Sequence, residues 1–170
     1  MPRDFGRPID NIVLHCTATS QNATVDDILT FWRTPKGPKD CAYIPNVQGG
    51  MGWRSPGYHY VIGVNGERYI LAKLSEVTNG VRGYNWNSCH ISYIGGKDGI
   101  DDRTPEQKAE TKKLLLELLD ESILGNNVNI FGHRDLSPDL NGDGIISPSE
   151  WTKLCPSFDV AKWLKEENIR

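Results

Sequence analysis

Apolar and polar positions change period several times along this chain, and each change marks an element. Ile12, Val13 and Leu14 form a continuous apolar run that closes on His15 and then meets the polar cluster 16–19. That pattern predicts a buried strand whose C-terminal end opens into a loop. Thr24 is a natural N-cap for a helix over Val25–Arg33, with Ile28, Phe31 and Trp32 on its apolar face. Residues 58–71 read as a β-hairpin: 61–64 and 68–71 flank Asn65-Gly66, the signal for a type I′ turn. Residues 90–94 alternate like a strand and stop at Gly95-Gly96. Thr104-Pro105-Glu106-Gln107 starts a helix, with an N-cap, Pro at N1 and Gln at N3. Ala109, Leu116, Leu119 and Ile123, joined by Leu115 and Leu118, form its apolar stripe, and 125–127 end it. A last strand over 128–131 ends at Gly132-His133, and Ser157 is the expected cap of a last helix over 158–167.

Strands and helices alternate without repeats. The fold class is therefore α/β: one domain over 1–170, with a central mixed β-sheet flanked by helices. Ligand sites in such sheets gather at strand C-termini, and His15 and His133 both stand at strand ends. Two stretches lack periodicity, 34–56 and 80–88. Loops as long as the first, inside a compact domain, are usually functional or mobile.

Composition narrows the function. A chain of 170 residues can bury roughly 70% of its unfolded surface, enough to fold without staples. The net charge is −3 with no Lys/Arg-rich run, which excludes nucleic acid on charge grounds. No apolar run approaches the roughly 18 residues of a membrane span, and the first residues lack the apolar core of a signal peptide. Synthesis in the cytoplasm without a signal peptide is the expectation. Four cysteines are too few for a disulfide scaffold, so Cys16 and Cys89 read as small buried residues and at least one other as a ligand or nucleophile.

Three residues combine into candidate chemistry. His15 and His133 each close an apolar strand, so both can stand on one edge of the sheet. Cys155 precedes Pro156 and the expected cap Ser157, and a helix N-terminus favours the metal-binding thiolate. Two His and one Cys leave a fourth tetrahedral position open, as in catalytic zinc sites. The motifs 12–19, Gly57-Tyr58-His59-Tyr60, Gly83-Tyr84-Asn85, Gly95-Gly96, Gly132-His133-Arg134-Asp135 and 153–159 follow one another in an order that resembles the zinc-dependent N-acetylmuramoyl-L-alanine amidases of the bacteriophage-lysozyme type, relatives of the peptidoglycan recognition proteins. The resemblance covers roughly residues 10 to 168. It implies zinc held by His15, His133 and Cys155, catalytic Tyr58 and Lys153, and hydrolysis of the amide between N-acetylmuramic acid and L-alanine in peptidoglycan. Zinc lowers the pKa of bound water to about 7 and polarises a carbonyl. Lys153 and Tyr58 offer charge and a hydroxyl to the developing oxyanion. His59 and His90 read as structural.

Residues 139–150 match the twelve-residue calcium loop. Asp139, Asn141 and Asp143 occupy positions 1, 3 and 5, Gly144 position 6, Ile145 offers its carbonyl at 7, and Glu150 is the bidentate carboxylate at 12. Pro138 precludes an entering helix. Calcium is therefore a second expected ion, with a structural role in an insertion between two zinc ligands.

Residues 34–53 look like an insertion relative to shorter members of the family. Trp53 is expected to wall one side of a substrate groove and Arg82, Tyr84, Asn85 and Trp86 the other. Family members often carry a histidine just before the Gly-Tyr-Asn segment; here Asn79-Gly80-Val81 stands in that place and removes one expected contact. The expected partner is peptidoglycan or a muropeptide, met by a monomer. A non-catalytic peptidoglycan-binding or regulatory module is the competing class, and loss of the cysteine ligand would mark it; Cys155, Tyr58 and Lys153 are all present. An endolysin acting on the wall after release and a cytoplasmic enzyme recycling wall fragments both fit a chain without a signal peptide.

Overall fold

The computed structural model describes residues 4–34 and 50–169. Five strands form one mixed sheet: β1 (Asn11–Cys16), β2 (Tyr60–Ile62), β3 (Arg68–Ile70), β4 (Ser88–Tyr93) and β5 (Asn129–Gly132), in the order β3-β2-β4-β1-β5. β1 lies between β4 and β5, and β4 pairs β2, all in parallel; only the hairpin partner β3 runs antiparallel. Three helices accompany it: α1 (Val25–Arg33), α2 (Pro105–Leu118) and α3 (Val160–Glu166).

Side-chain alternation divides β1 and β4 between two cores. Ile12, Leu14, Cys16, Cys89, Ile91 and Tyr93 meet Leu114, Leu115 and Leu118 of α2 and Val160 and Trp163 of α3. Val61 faces the other way, into a smaller cluster with Ile28 and Trp32 of α1. His15 and His90 occupy the alternate positions of β1 and β4, so they share the α1 side of the sheet, and both are buried. This face carries the candidate chemistry.

Local signals fix the helix starts. Thr24 accepts the Asp27 amide and Asp27 returns the bond to the Thr24 amide, a reciprocal box worth about 1 kcal/mol when its cap is removed. Thr104 and Gln107 do the same for α2. Gln107 also ties α2 to the sheet. It is fully buried, and its side-chain amide donates to the carbonyls of Ile62 and Ile94 at the sheet's edge.

Four expectations shift. Phe31 is 48% exposed, so α1 buries only Ile28 and Trp32. The buried stripe of α2 is Gln107, Thr111, Leu114, Leu115 and Leu118, while Ala109 and Leu116 face solvent. Two polar residues that satisfy their own hydrogen bonds rotate the stripe away from the purely apolar positions. The hairpin does not use a type I′ turn: Val64 and Asn65 keep negative φ, and only Gly66 is left-handed, at φ +84°. Asn65 instead donates its backbone and side-chain N–H groups to the Glu67 carboxylate. Finally, α3 is capped by Asp159, which accepts the Lys162 amide; Ser157 sits at φ +74° ahead of it.

Candidate metal centre and cleft

His15, His133 and Cys155 converge. Their ligand atoms lie within 4.8 Å of one another, and they are the only such group of three His, Cys, Asp or Glu side chains among the described residues. The sheet does most of this work. Leu14 pairs Gly132 in the β1–β5 register, so His15 and His133 leave neighbouring strands side by side, ring centroids 4.9 Å apart. Asp135 holds the turn after β5 by accepting the Gly132 amide at 2.7 Å. The Arg134 amide donates to the Cys155 carbonyl at 2.9 Å, which draws the C-terminal segment onto that turn. Cys155 Sγ then stands 3.6 Å from His15 Nδ1 and accepts the Cys16 amide at 3.2 Å.

Burial sets the electrostatics. It lowers His15 well below its ordinary pKa, with His90 and His133 adding to the effect. His133 falls to about 4 through burial and then the charge of Lys153. Both imidazoles are neutral near pH 7, with lone pairs free for a metal. Burial moves the Cys155 thiol the other way, upward. The expected assistance from a helix N-terminus is absent, because α3 begins five residues later; the amide of Cys16 is the donor that meets the sulfur.

Tyr58 and Lys153 border the same place. The Tyr58 ring lies 4.8 Å from that of His15 and 5.2 Å from that of Trp32, and its hydroxyl donates to the Cys16 carbonyl at 3.3 Å. Burial raises its pKa, so it stays a protonated donor. Lys153 is exposed, on the rim of a cleft of about 1120 Å³ that Tyr58, His133 and Cys155 also line. Trp53, Arg82 and Asn85 line this cleft as well. Trp53 stacks on Trp32, centroids 6.2 Å apart. Asn85 is committed to its own loop, accepting the Val81 amide at 2.7 Å. Tyr84 and Trp86 are exposed outside the lining. Most of the insertion expected over 34–53 lies outside the described residues.

Two neighbours of the site carry no sequence motif. His90 Nδ1 is 3.0 Å from His15 Nε2, the nitrogen facing away from Cys155. Arg7, buried near the start of the chain, donates to the carbonyls of Leu74, Asn85, Trp86 and Ser88 and so anchors the 80–88 loop. His59 is structural, as expected: fully buried, it accepts the His90 amide on Nδ1 and meets the Glu76 carbonyl through Nε2. A polar residue on a strand buried on both faces is the signal that marks His90. Arg7 has none.

The acidic loop gives calcium no support. The carboxylates of Asp139, Asp143 and Glu150 do not converge as a ligand set. Each is taken up by the loop's own donors. Asp139 accepts the amides of Gly142 and Gly144, and Asp143 accepts that of Ile145. Asn141 turns its side chain onto Asp143, and Ile145 is 68% exposed. Glu150 accepts the amides of Leu140, Asn141 and Ser147 and the Ser147 hydroxyl, which hold its pKa at about 2. Trp151, next in sequence, lies under the Arg134 guanidinium at 4.0 Å. The loop is thus closed at its base by protein atoms.

Comparison with known proteins places the chain in a family. A profile of the N-acetylmuramoyl-L-alanine amidase family matches residues 5–157. The endolysin of Escherichia phage T7 is 27% identical over 169 residues, covering 94% of this chain and 88% of the relative. An uncharacterized protein of Haemophilus influenzae is 42% identical over 98 residues, covering 57% of this chain and 84% of the relative. Among solved structures, the N-acetylmuramoyl-L-alanine amidase LysC from Clostridium intestinale superposes with a TM-score of 0.61 at 18% identity, covering 100% of this chain and 92% of that one. The described residues contain no helix long and apolar enough to cross a membrane. With a family match spanning the sheet, the converging triad and the cleft, the chain belongs to the N-acetylmuramoyl-L-alanine amidase family.

Proposed function

We propose that the chain is a zinc-dependent amidase that hydrolyses the bond between N-acetylmuramic acid and L-alanine in peptidoglycan, with His15, His133 and Cys155 holding the zinc. One observation carries this reading: His15, His133 and Cys155 converge within 4.8 Å at a cleft that Tyr58 and Lys153 also line. The donor set suits zinc, which takes His nitrogen and Cys sulfur in tetrahedral sites. Two His and one Cys are the number of protein ligands typical where a fourth position serves catalysis.

When bound, zinc supplies Lewis acidity that activates water and polarises the scissile carbonyl. The protein's own groups supply the rest. Tyr58, held beside His15 and kept protonated by burial, donates a hydrogen bond to the oxyanion that develops as the carbonyl is attacked. Lys153 adds positive charge from the cleft rim. The departing alanine nitrogen takes its proton from one of these two donors, and the proton lost by the attacking water restores that donor. The cleft walls near Trp53 and Arg82 receive the glycan and stem peptide.

The chain acts as an endolysin on the wall, a role supported by its likeness to phage endolysins over most of its length. The test is direct. Purified protein analysed for metal should carry one zinc per chain and release free amino termini from peptidoglycan. Cys155→Ser should lose both. A fully active protein without zinc, or an active Cys155→Ser variant, would overturn the reading.

A further inference from the structure

His90 has no role in the amidase chemistry, yet it touches a proposed zinc ligand. We propose that His90 is a positioning residue that fixes the tautomer and ring orientation of His15 for metal binding. The inference rests on the zinc reading above.

Three contacts hold the His90 ring in place. It stands on β4 beside Val13, one strand over from His15 and on the same face of the sheet. Its backbone amide donates to His59 Nδ1 at 3.0 Å, and its ring stacks on His59 with 21° between planes. Gly80 closes the remaining side. A Cβ at Gly80 would come within 2.3 Å of His90 Nδ1, so the absence of a side chain there makes room for the ring. Nδ1 is left facing His15 Nε2 at 3.0 Å.

The proton assignments then follow from His15. Its Nδ1 faces Cys155 and must offer a lone pair to a metal, so its proton sits on Nε2. That N–H donates to His90 Nδ1, which must be bare. The proton of His90 is thereby driven to its own Nε2, a buried atom with no hydrogen-bond partner among the described residues. Buried N–H groups are rarely left unmatched, and packing alone would favour an apolar residue here. The orphaned N–H is the counterpart of a correctly oriented ligand. Ligating histidines commonly use such a partner to raise basicity and lock the ring.

The experiment compares wild type with His90→Asn and His90→Leu. An Asn carbonyl oxygen can take the position of Nδ1 and accept the same bond; Leu fills the space without an acceptor. Zinc affinity is measured by chelator competition, with thermal unfolding of each metal-free protein as a control. Long-range ¹H–¹⁵N spectra report the tautomer of His15. Leu should weaken zinc binding by roughly 10- to 100-fold, and Asn should recover most of that loss. Metal-free wild type should show His15 protonated on Nε2. Wild-type affinity in His90→Leu, equal losses in the two variants, or His15 protonated on Nδ1 in metal-free wild type would each overturn the proposal. If His90→Leu fails to fold, the Asn affinity and the wild-type spectrum still decide. Wild type that binds no zinc would overturn both this inference and the amidase reading, whereas a normal zinc site in His90→Leu would overturn this inference alone.

Discussion

Acidification of the metal-free protein from pH 7 to pH 5 should cost it a large part of its stability. All four histidines of the chain are buried or partly buried near one another, and burial lowers every one of their pKa values. His59 is the simplest case: its pKa falls from 6.5 to about 4, chiefly through desolvation. His90 falls to about 3, again mainly by desolvation, with His59, His133 and Arg7 adding repulsion. In the unfolded chain these groups take up protons near pH 6.5; in the folded chain they do not until pH 4 or below. Their contribution to stability is therefore intact above the unfolded pKa and is lost as pH falls toward the folded pKa. At pH 5 the linkage amounts to about 2 kcal/mol for each of the two fully buried rings, or about 4 kcal/mol together. His15 and His133 act in the same direction. With an unfolding entropy of about 0.36 kcal/mol/K for a chain of this length, 4 kcal/mol lowers Tm by about 10 °C. Circular dichroism melts of chelator-treated protein at half-unit pH steps measure this, with His59→Gln as the internal control because it removes one titrating group. A Tm that moves by less than about 3 °C between pH 7 and pH 5, or a His59→Gln variant with the wild-type pH slope, would refute the assignment of these histidines as buried and neutral.

Three further outcomes are expected. Arg7→Met strands four carbonyls and frees the 80–88 loop, so it should destabilise by about 3 kcal/mol, lowering Tm by about 8 °C and raising KM through a loosened cleft wall; an unchanged Tm refutes this. Tyr58→Phe and Lys153→Met should each lower kcat by about 10²- to 10³-fold while zinc content stays at the wild-type level, as metal analysis and steady-state kinetics would show. Millimolar calcium, or its selective chelation, should leave Tm within about 1 °C, since Glu150 and Asp139 are satisfied by loop amides; a saturable rise in Tm with calcium would restore the ion to the 139–150 loop.

Which features were legible in the sequence depended on how far the deciding partner lies along the chain. The N-cap at Thr24 and the Thr104–Gln107 pair involve residues within three of one another, and both formed as expected, with Asp27 completing a box at Thr24. The strand ends that present His15 and His133 are local apolar runs, and a parallel sheet brought them together. The motif resemblance pointed to Tyr58, Lys153 and Cys155, and the structure places them around one cleft. The misses have longer reach. Leu116 looked like core because it is leucine, but α2 buries Gln107 and Thr111 instead, whose polarity is answered by carbonyls at the sheet edge and in its own helix. Ser157 looked like a cap until its own backbone turned left-handed and passed the role to Asp159. Arg7 meets carbonyls some 70 or more residues away and no local pattern announces it, while His90 is marked only by being polar on a buried strand, its partner His15 lying 75 residues away.

The 139–150 loop is the opposite case, a complete local pattern to which the structure adds no support. A calcium loop and a turn-rich strap use the same residues, because Asp and Asn are chosen in both for bonds to amides two to five residues on. What separates the two is whether the carboxylate oxygens are left free to converge. Here Glu150 is consumed in tying residues 140 and 141 to Ser147, and the strap passes its rigidity on through Trp151 to Arg134. The Arg134 amide in turn holds the Cys155 carbonyl. The segment between His133 and Cys155 therefore reaches the proposed metal site through a chain of protein contacts: Glu150 closes the strap, Arg134 links strap to turn, and the Arg134 amide holds the Cys155 carbonyl. On this account Glu150→Gln should weaken zinc binding through a displaced Cys155 more than it alters any response to calcium.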